Sequence, residues 1–206
     1  MTKQLTRRGR ERRRQLLDYS IRRFAENGYH PTSVDELVNG IGVGKGVFYW
    51  YFSSKEQLLI EILEDTGHDL RRAQKQAIGD EIDPITQLEL GIRATMRWLA
   101  DHQDAFTLFQ FAATQEAFAE VVRTENRLAL EDTVRVVKGF LGSGRGTDAS
   151  ALILANAIIG VSNQLSRSLL IEGGQSPDVV ADAAVSFCLR GLLGAREGKR
   201  ALARSR

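Results

Sequence analysis

The chain has 206 residues, of which 43% are hydrophobic and 26% are charged, so it is long enough to bury a core and has the composition of a folded, water-soluble protein. Its one cysteine, Cys188, excludes an internal disulfide, and the longest apolar run, residues 151–161, is too short to cross a bilayer. No apolar segment follows the basic N-terminus, so we expect no signal peptide and predict a cytoplasmic protein.

The net charge of +2 is unevenly distributed along the chain. Residues 1–60 contain eleven lysines and arginines against six acidic residues, whereas the remainder contains seventeen against twenty. Most of the excess lies in a basic arm, which we define as Lys3, Arg7, Arg8, Arg10, Arg12, Arg13 and Arg14. A basic end on a slightly acidic body favours a polyanionic partner, although a solvated tail would have the same composition.

The apolar residues recur with a period of about 3.6, and only three prolines interrupt them, so the sequence predicts an all-α fold. The first helix is expected over residues 7–27 and ends at Gly28, which can adopt a left-handed conformation. Ser33 and Glu36 form a capping box that opens a short second helix. In such a box the serine hydroxyl and the glutamate carboxylate each accept from the other residue's backbone amide.

Residues 42–44, Gly-Val-Gly, predict a turn in which Gly42 takes a positive φ. A third helix is expected from Lys45 to about Phe52, and a longer one from Lys55 into the seventies. This order of helix, glycine turn and helix is the helix-turn-helix layout. Further helices are expected over residues 84–101, from residue 104, and over 117–141, 149–172 and 177–196.

Five consecutive aromatic residues, at positions 48–52, occupy the second half of the third predicted helix. At about 100° per residue, Phe48 and Phe52 share an inward face, with Tyr51 at its margin. Tyr49 and Trp50 then point to the other side. A core location for all five rings is excluded because five consecutive residues go around the whole helix.

An exposed aromatic face on so short a helix implies a partner surface. Gly44 and Gly46 allow the start of the helix to approach that partner closely, while Lys45 and Lys55 add positive charge. A surface that combines such rings with lysines and free helix amides fits the major groove of duplex DNA, where the cations and amides can meet the phosphates.

The segment from Leu16 to Leu59 resembles the DNA-binding domain of the TetR family of bacterial transcriptional regulators. The matching residues are Phe24, Ala25, Glu26, Gly28, Tyr29, Thr32, Ser33, Val34, Gly42, Val43, Lys45, Gly46, Tyr49, Tyr51, Phe52, Lys55, Glu56, Leu58 and Leu59. The resemblance covers about residues 12–64. It implies an all-helical homodimer with a ligand-binding C-terminal domain and repression that a small molecule relieves.

By position, the resemblance implies contacts with the DNA backbone and with bases. Thr32 and Ser33 would touch phosphate, and Tyr49, Tyr51 and Lys55 would grip the backbone. Lys45, Gly46 and Val47 would face base edges, with Trp50 between groove and phosphate, and Val43 and Gly44 are also expected at the DNA-binding surface.

Two of these positions depart from the family pattern. Gly44 stands where a serine or similar cap is common, so the third helix begins without a side-chain cap, which costs about 1 kcal/mol. Val47 stands where a threonine is common, and its methyl groups would suit thymine.

The last two predicted helices are apolar on more than one face, which favours either dimerisation or a deeply buried monomer core. Under the resemblance they form the homodimer interface, whose symmetry would match a palindromic operator. The predicted domains are residues 1–62, the helix-turn-helix with its basic arm, and residues 63–196, the effector-binding and dimerisation domain. Residues 197–206 are predicted to be a basic, disordered tail.

A cluster of aromatic and polar side chains in the middle helices predicts an effector pocket, with plain core as the alternative. Its residues are Trp98, Phe106, Phe109, Gln110, Phe111 and Thr114. No catalytic constellation is present in the sequence, and the acidic residues that flank His68 and His102 have the spacing of solvated helix faces. We therefore expect no enzyme activity, metal or cofactor.

Three hypotheses for function follow from these patterns. The first is a dimeric, sequence-specific repressor that a small, largely hydrophobic effector releases from a palindromic operator. The second is a non-specific architectural DNA-binding protein that uses the basic arm. The third is a helical carrier or enzyme whose DNA-binding domain is vestigial.

Overall fold

A computed structural model gives the backbone of residues 6–142 and 147–204, and the side chains of the same ranges up to residue 194. Every regular element in these ranges is helical, which confirms the predicted all-α fold. The α-helices are α1 (Arg7–Asn27), α2 (Val34–Gly40), α3 (Lys45–Tyr51), α4 (Lys55–Ile78), α5 (Pro84–Asp101), α6 (Gln103–Ala112), α7 (Ala119–Leu141), α8 (Thr147–Leu165) and α9 (Pro177–Arg204). A 3-10 turn, Glu116–Phe118, precedes α7, and a π-helical segment, Ser166–Ile171, continues α8.

Parts of three predicted segments lie outside the described residues: Lys3 of the basic arm, positions 143–146 of the predicted loop, and the last two residues of the predicted tail. The end of α9 differs from the sequence prediction. The helix continues to Arg204, so the backbone of residues 197–204 is helical in the structure where the sequence predicts the end of the helix at Arg196 and a disordered tail. That stretch has two alanines and a leucine among basic residues, which are good helix formers.

The helices pack as two compact units. The first unit contains the described chain up to Gly67 together with Gln103–Arg123, and the second contains His68–His102 and the described chain from Thr124 onward. A division at residue 62 places α6 in the second domain, whereas in the structure α6 packs with the first unit. The reason is aromatic packing, since Phe111 and Phe118 lie 5.6 and 5.4 Å from the ring of Tyr29.

The first unit has a continuous apolar core beneath its three short helices. Phe24 of α1, Leu37 of α2 and Phe48 of α3 are each at most 2% exposed. Burying one such side chain contributes about 1.5–3 kcal/mol. The same cluster includes residues beyond α3 and α4, namely Leu108, Ala112, Phe118, Val121 and Val122.

Local signals predicted from the sequence set the boundaries of these helices. Ser33 caps α2, where its hydroxyl accepts from the Glu36 amide at 3.2 Å. The Glu36 carboxylate bonds mainly to Arg23, and this bond lowers the pKa of Glu36. A hydrogen bond from the Ser33 amide lowers the same pKa by a smaller amount. Gly28 and Gly42 have φ of 87° and 67°, so both predicted left-handed glycines are confirmed.

The second unit buries the predicted stripe of α5: Leu88, Ile92, Met96 and Leu99. Three polar interactions lie among its helices. Arg71 of α4 forms an ion pair with Glu125 of α7, whose side chain is only 7% exposed. Gln74 donates to the Thr95 hydroxyl at 2.9 Å, and the buried Ser166 hydroxyl donates to the Ser162 carbonyl at 2.7 Å.

Helices α8 and α9 carry large apolar side chains that their own unit leaves exposed. The exposed fractions are 47% for Leu152, 69% for Ile153, 57% for Val179, 65% for Phe187 and 46% for Leu193. The segment Thr147–Ile171 is long and apolar enough, with a mean hydropathy of 1.3, to pass a length-and-composition test for a membrane helix. Because the core helix of a soluble protein passes the same test, a single such helix is weak evidence for a membrane span.

Candidate nucleic-acid interface

Helix α3 divides its aromatic residues between the core and the surface, as the sequence predicts. Phe48 and Phe52 are 0% and 1% exposed, and their ring centroids lie 5.7 Å apart. Tyr49 and Trp50 are 56% and 49% exposed. The short helix is therefore held by two inward phenylalanines while it presents two large amphipathic rings outward.

The start of α3 is open to close approach by a partner. Gly44 is the N-cap residue and gives no side-chain hydrogen bond, so the predicted lack of a cap is confirmed. A Cβ atom added at Gly44 or at Gly46 would meet nothing within 4 Å. The backbone at these two positions is consequently not covered by neighbouring side chains.

Lys45 adds positive charge at the same end of α3. Its Nζ atom lies 2.8 Å from an Asp35 carboxylate oxygen, and this hydrogen bond raises the pKa of Lys45. Both side chains are more than half exposed, and an exposed ion pair of this kind is worth little in water. The Lys45 ammonium can therefore exchange Asp35 for a phosphate oxygen at low cost.

The two valines near the start of α3 are half-buried. Val43 packs against the core cluster of the first unit, and its amide donates to the Val38 carbonyl at 2.9 Å. Val47 lies in the first turn of α3, beside the open backbone of Gly46. Of the two, Val47 remains the predicted apolar contact with a base.

Thr32 and Ser33 differ in what they present. The Ser33 side chain is exposed at the start of α2, so a phosphate contact stays a prediction for it. Thr32 is 0% exposed, and its hydroxyl donates to the Gly28 carbonyl at 2.8 Å. The predicted phosphate contact of the Thr32 hydroxyl is wrong, because that group stabilises the turn after α1.

The Lys55 side chain also has an internal role. Its Nζ atom donates to the carbonyls of Tyr29, His30 and Thr32 at 2.8, 3.3 and 2.9 Å, and it lies 4.3 Å from the centroid of the Tyr29 ring. An ammonium has three donors, and three acceptors surround this one. Burial lowers the pKa of Lys55 below its ordinary value.

In the free protein, the Lys55 ammonium that is predicted to grip the DNA backbone is therefore bonded to main-chain carbonyls, and its phosphate contact stays a prediction. This ammonium ties the start of α4 to the segment between α1 and α2, and thereby fixes the position of the Ser33 cap. The sequence motif identifies the lysine but not the carbonyls that accept from it, because those lie 23 to 26 residues earlier in the chain.

Tyr51 is likewise engaged within the first unit. Its hydroxyl donates to the Gly9 carbonyl of α1 at 2.9 Å, and the residue is half-buried. In the free protein, the hydroxyl that is predicted to bond phosphate therefore contacts the first turn of α1, and its phosphate contact stays a prediction. Arg8 and Arg10 are exposed on either side of Gly9 and lie outside the family motif. The run of arginines in the sequence is the signal that makes them candidate contacts for a polyanion.

The six residues predicted to line an effector pocket are divided between the two units. Trp98 lies in the second unit, where its ring stacks on His102 with the centroids 4.1 Å apart. Phe111 packs on Tyr29 and belongs to the core of the first unit. The members of the predicted set that lie in or directly after α6 are Phe106, Phe109, Gln110, Phe111 and Thr114.

Comparison with known proteins agrees with this architecture. Residues 16–62 match the profile described as bacterial regulatory proteins of the tetR family, and residues 81–192 match the profile of the tetracyclin repressor-like C-terminal domain. A TetR-like transcriptional regulator from Rhodococcus sp. RHA1 shares the fold, with a TM-score of 0.76 and 24% identity over 93% of this chain and 100% of that one.

Two relatives with assigned roles are similar over most of the chain. The transcriptional activator FasR of Mycolicibacterium smegmatis is 25% identical over 187 residues, covering 88% of this chain and 83% of FasR. The transcriptional repressor DhaR of Mycobacterium sp. (strain GP1) is 26% identical over 171 residues, covering 80% of this chain and 85% of DhaR. With the helix-turn-helix and both profile matches in place, the chain belongs to the TetR family of bacterial transcriptional regulators.

Proposed function

We propose that the protein is a dimeric, sequence-specific regulator that acts in the cytoplasm as a repressor on a palindromic operator. The observation that carries this proposal is the exposure of Tyr49 and Trp50 on α3 of a helix-turn-helix. Two large rings exposed side by side on a seven-residue helix need a partner surface. The polar group on each ring suits phosphate and sugar, while its apolar part suits base edges.

The backbone around these rings supports the same partner. Gly44 and Gly46 leave the start of α3 uncovered, which the close approach of a base edge requires. Lys45 supplies a cation at that end, and its present partner, Asp35, is exposed. Together these features fit a helix that enters the major groove with its N-terminal residues toward the bases.

The exposed apolar face of α8 and α9 supports a homodimer. Ile153 and Phe187 are 69% and 65% exposed, and large apolar side chains exposed on neighbouring helices are typical of protein–protein interfaces. A two-fold dimer presents two copies of α3, which fits an inverted repeat with half-sites about one helical turn apart or a multiple of it.

The effector part of the proposal comes from family membership and the predicted aromatic lining. A small, largely hydrophobic molecule would have to bind the DNA-incompetent arrangement more tightly to act as an inducer. One relative is named an activator and another a repressor, so the direction of regulation has to be tested on this chain. A reporter gene placed behind the operator, with and without the regulator, gives that direction.

The test of the DNA-binding proposal is a titration of fluorescent duplexes. An inverted repeat from the region upstream of the protein's own gene should bind at least about a thousandfold more tightly than a scrambled duplex. Tyr49→Ala and Trp50→Ala should each weaken specific binding by about 1–3 kcal/mol. Ile82→Ala, which truncates a loop residue that is 88% exposed, is the control and should not change it.

Equal affinity for the two duplexes would reject sequence-specific regulation and favour the architectural alternative. In that case binding should depend on the basic arm and survive both aromatic substitutions. Absence of binding to any duplex would reject both DNA-binding functions.

A further inference from the structure

The first turns of α1 extend beyond the core of the first unit but are held against it. Leu16 is the first buried residue of the helix, so Arg7 to Gln15 precede the apolar core. The Tyr51 hydroxyl donates to the Gly9 carbonyl at 2.9 Å. Arg13 forms an ion pair with Glu61 of α4, and its guanidinium carbon lies 5.4 Å from the centroid of the Phe52 ring. From Arg7 onward, the arm is thus a docked helix rather than a loose tail.

The docking point adjoins the exposed rings of α3. The ring of Tyr51 packs edge-on against Trp50, with centroids 4.6 Å apart. Through these two contacts, the first turn of α1 is connected to the same aromatic face that we propose reads DNA. Positive charge on this turn would therefore lie next to the DNA that α3 engages.

Most arginines in the first turns of α1 have side chains that are exposed to solvent. Arg8 and Arg10 are exposed. Arg7 and Arg14 form ion pairs with Glu11 and Asp18 in which every side chain is at least 58% exposed. Exposed pairs contribute little, so these arginines can exchange their carboxylates for phosphates.

We propose that the first turns of α1 are a second DNA-contacting element, and that Tyr51 is the residue that positions it. Resting on the proposed function, this inference assigns the arginines to backbone phosphates that flank the bases reached by α3. Tyr51 acts through the arm: its hydroxyl holds Gly9, and the arginines make the contacts. The competing assignment is a Tyr51 hydroxyl that itself bonds a phosphate.

The first test needs no DNA. Tyr51→Phe removes only the hydroxyl, so the first turn of α1 should open more often and trypsin should cleave after Arg8 and Arg10 about fivefold faster, as expected for loss of one hydrogen bond. Tyr49→Phe is the matched control, and its cleavage rate should equal that of the unmodified protein. Equal rates for the Tyr51→Phe and unmodified proteins would overturn the positioning role.

The second test is a double-mutant cycle on the operator duplex. Tyr51→Phe should weaken binding about fivefold in the unmodified protein and have a clearly smaller effect in a protein that also carries Arg8→Gln and Arg10→Gln. The two arginine substitutions alone should reduce the slope of log affinity against log salt concentration by about 1.8 per protomer.

The outcomes separate this inference from the proposed function. An equal effect of Tyr51→Phe in both backgrounds would show that the hydroxyl meets DNA directly and would overturn the positioning role. Specific binding with an unchanged salt slope would overturn the arm as a DNA contact while leaving the proposed function intact. Failure of the unmodified full-length protein to bind the duplex would overturn both.

Discussion

At the scale of single residues, the polar ends of three predicted DNA contacts are used by the protein's own backbone. The Thr32 hydroxyl, the Tyr51 hydroxyl and the Lys55 ammonium each donate to main-chain carbonyls of the first unit. Buried carbonyls need donors, and a side chain that supplies them stabilises the fold before any partner binds. Sequence similarity identifies such residues but does not distinguish a phosphate acceptor from a carbonyl acceptor.

Lys55→Met tests this distinction directly. The substitution keeps the length of the side chain but leaves three carbonyls without their charged donor. We expect the free energy of unfolding of the DNA-free protein to fall by about 1–3 kcal/mol in urea denaturation. Lys75→Met, at an exposed position near the end of the same helix, is the control and should leave it unchanged. Unaltered stability of the Lys55 variant, combined with weakened DNA binding, would favour the phosphate contact.

Ser20 shows the opposite situation, a hydroxyl without a donor or acceptor. Within the part of the chain that the structure describes, Ser20 Oγ is buried and has no hydrogen-bond partner. Ser20→Ala should therefore raise the free energy of unfolding by about 1 kcal/mol. Ser166→Ala removes a buried hydroxyl that donates to Ser162, so it should lower the same quantity. Destabilisation of equal size by both substitutions would show that Ser20 has a partner.

At the scale of elements, the sequence predicted α2 and α3 closely because their determinants are local. The Ser33 cap, the two left-handed glycines and the angular division of the aromatic residues all depend on neighbours within four positions. The packing of α6 on the first unit could not be predicted this way, because Phe111 meets Tyr29 across 82 residues of chain. Helical spacing likewise shows that α6 is amphipathic but not which core it joins, so the effector pocket stays a prediction.

Gly46→Ala separates the stability of α3 from its function. A methyl group at this position meets no neighbour, so replacing a helical glycine should increase the free energy of unfolding by about 0.5–1 kcal/mol. If α3 lies close to base edges, the same methyl group should weaken operator binding. Gly91→Ala in α5, where the nearest atom would be at an ordinary 3.8 Å, should stabilise the protein without changing its affinity for DNA. Unchanged operator binding by the Gly46 variant would place the backbone of α3 away from the bases.

At the scale of the whole molecule, the surplus apolar surface of α8 and α9 is the feature that a monomer does not explain. Ala155 of α8 and Ala184 of α9 are fully buried within their own unit. One apolar face of each helix therefore packs inside the monomer. The exposed large side chains form the other face. The sequence predicted both faces from the apolar pattern, although it could not assign each residue to one of them.

Phe187→Glu tests the proposed dimer. The side chain is 65% exposed in the single chain, so a charge there should not disturb the fold, but it should be costly at the centre of an apolar interface. We expect the mass measured by light scattering to fall from that of a dimer to that of a monomer, with an unchanged helical circular dichroism spectrum. Ile82→Glu, also on an exposed apolar residue but in a loop, should remain dimeric. A dimeric Phe187 variant would exclude this face from the interface.

The most direct measurement of the central claim uses Trp50 itself. The chain has two tryptophans, so Trp98→Phe leaves Trp50 as the only strong fluorophore at the proposed interface. Because Trp50 is 49% exposed in the free protein, acrylamide should quench it readily. Saturation with the inverted-repeat duplex should reduce the quenching constant severalfold, and an equal concentration of scrambled duplex should not. Unchanged quenching of Trp50 while the specific duplex is bound would contradict the account, since α3 would then lie outside the DNA interface.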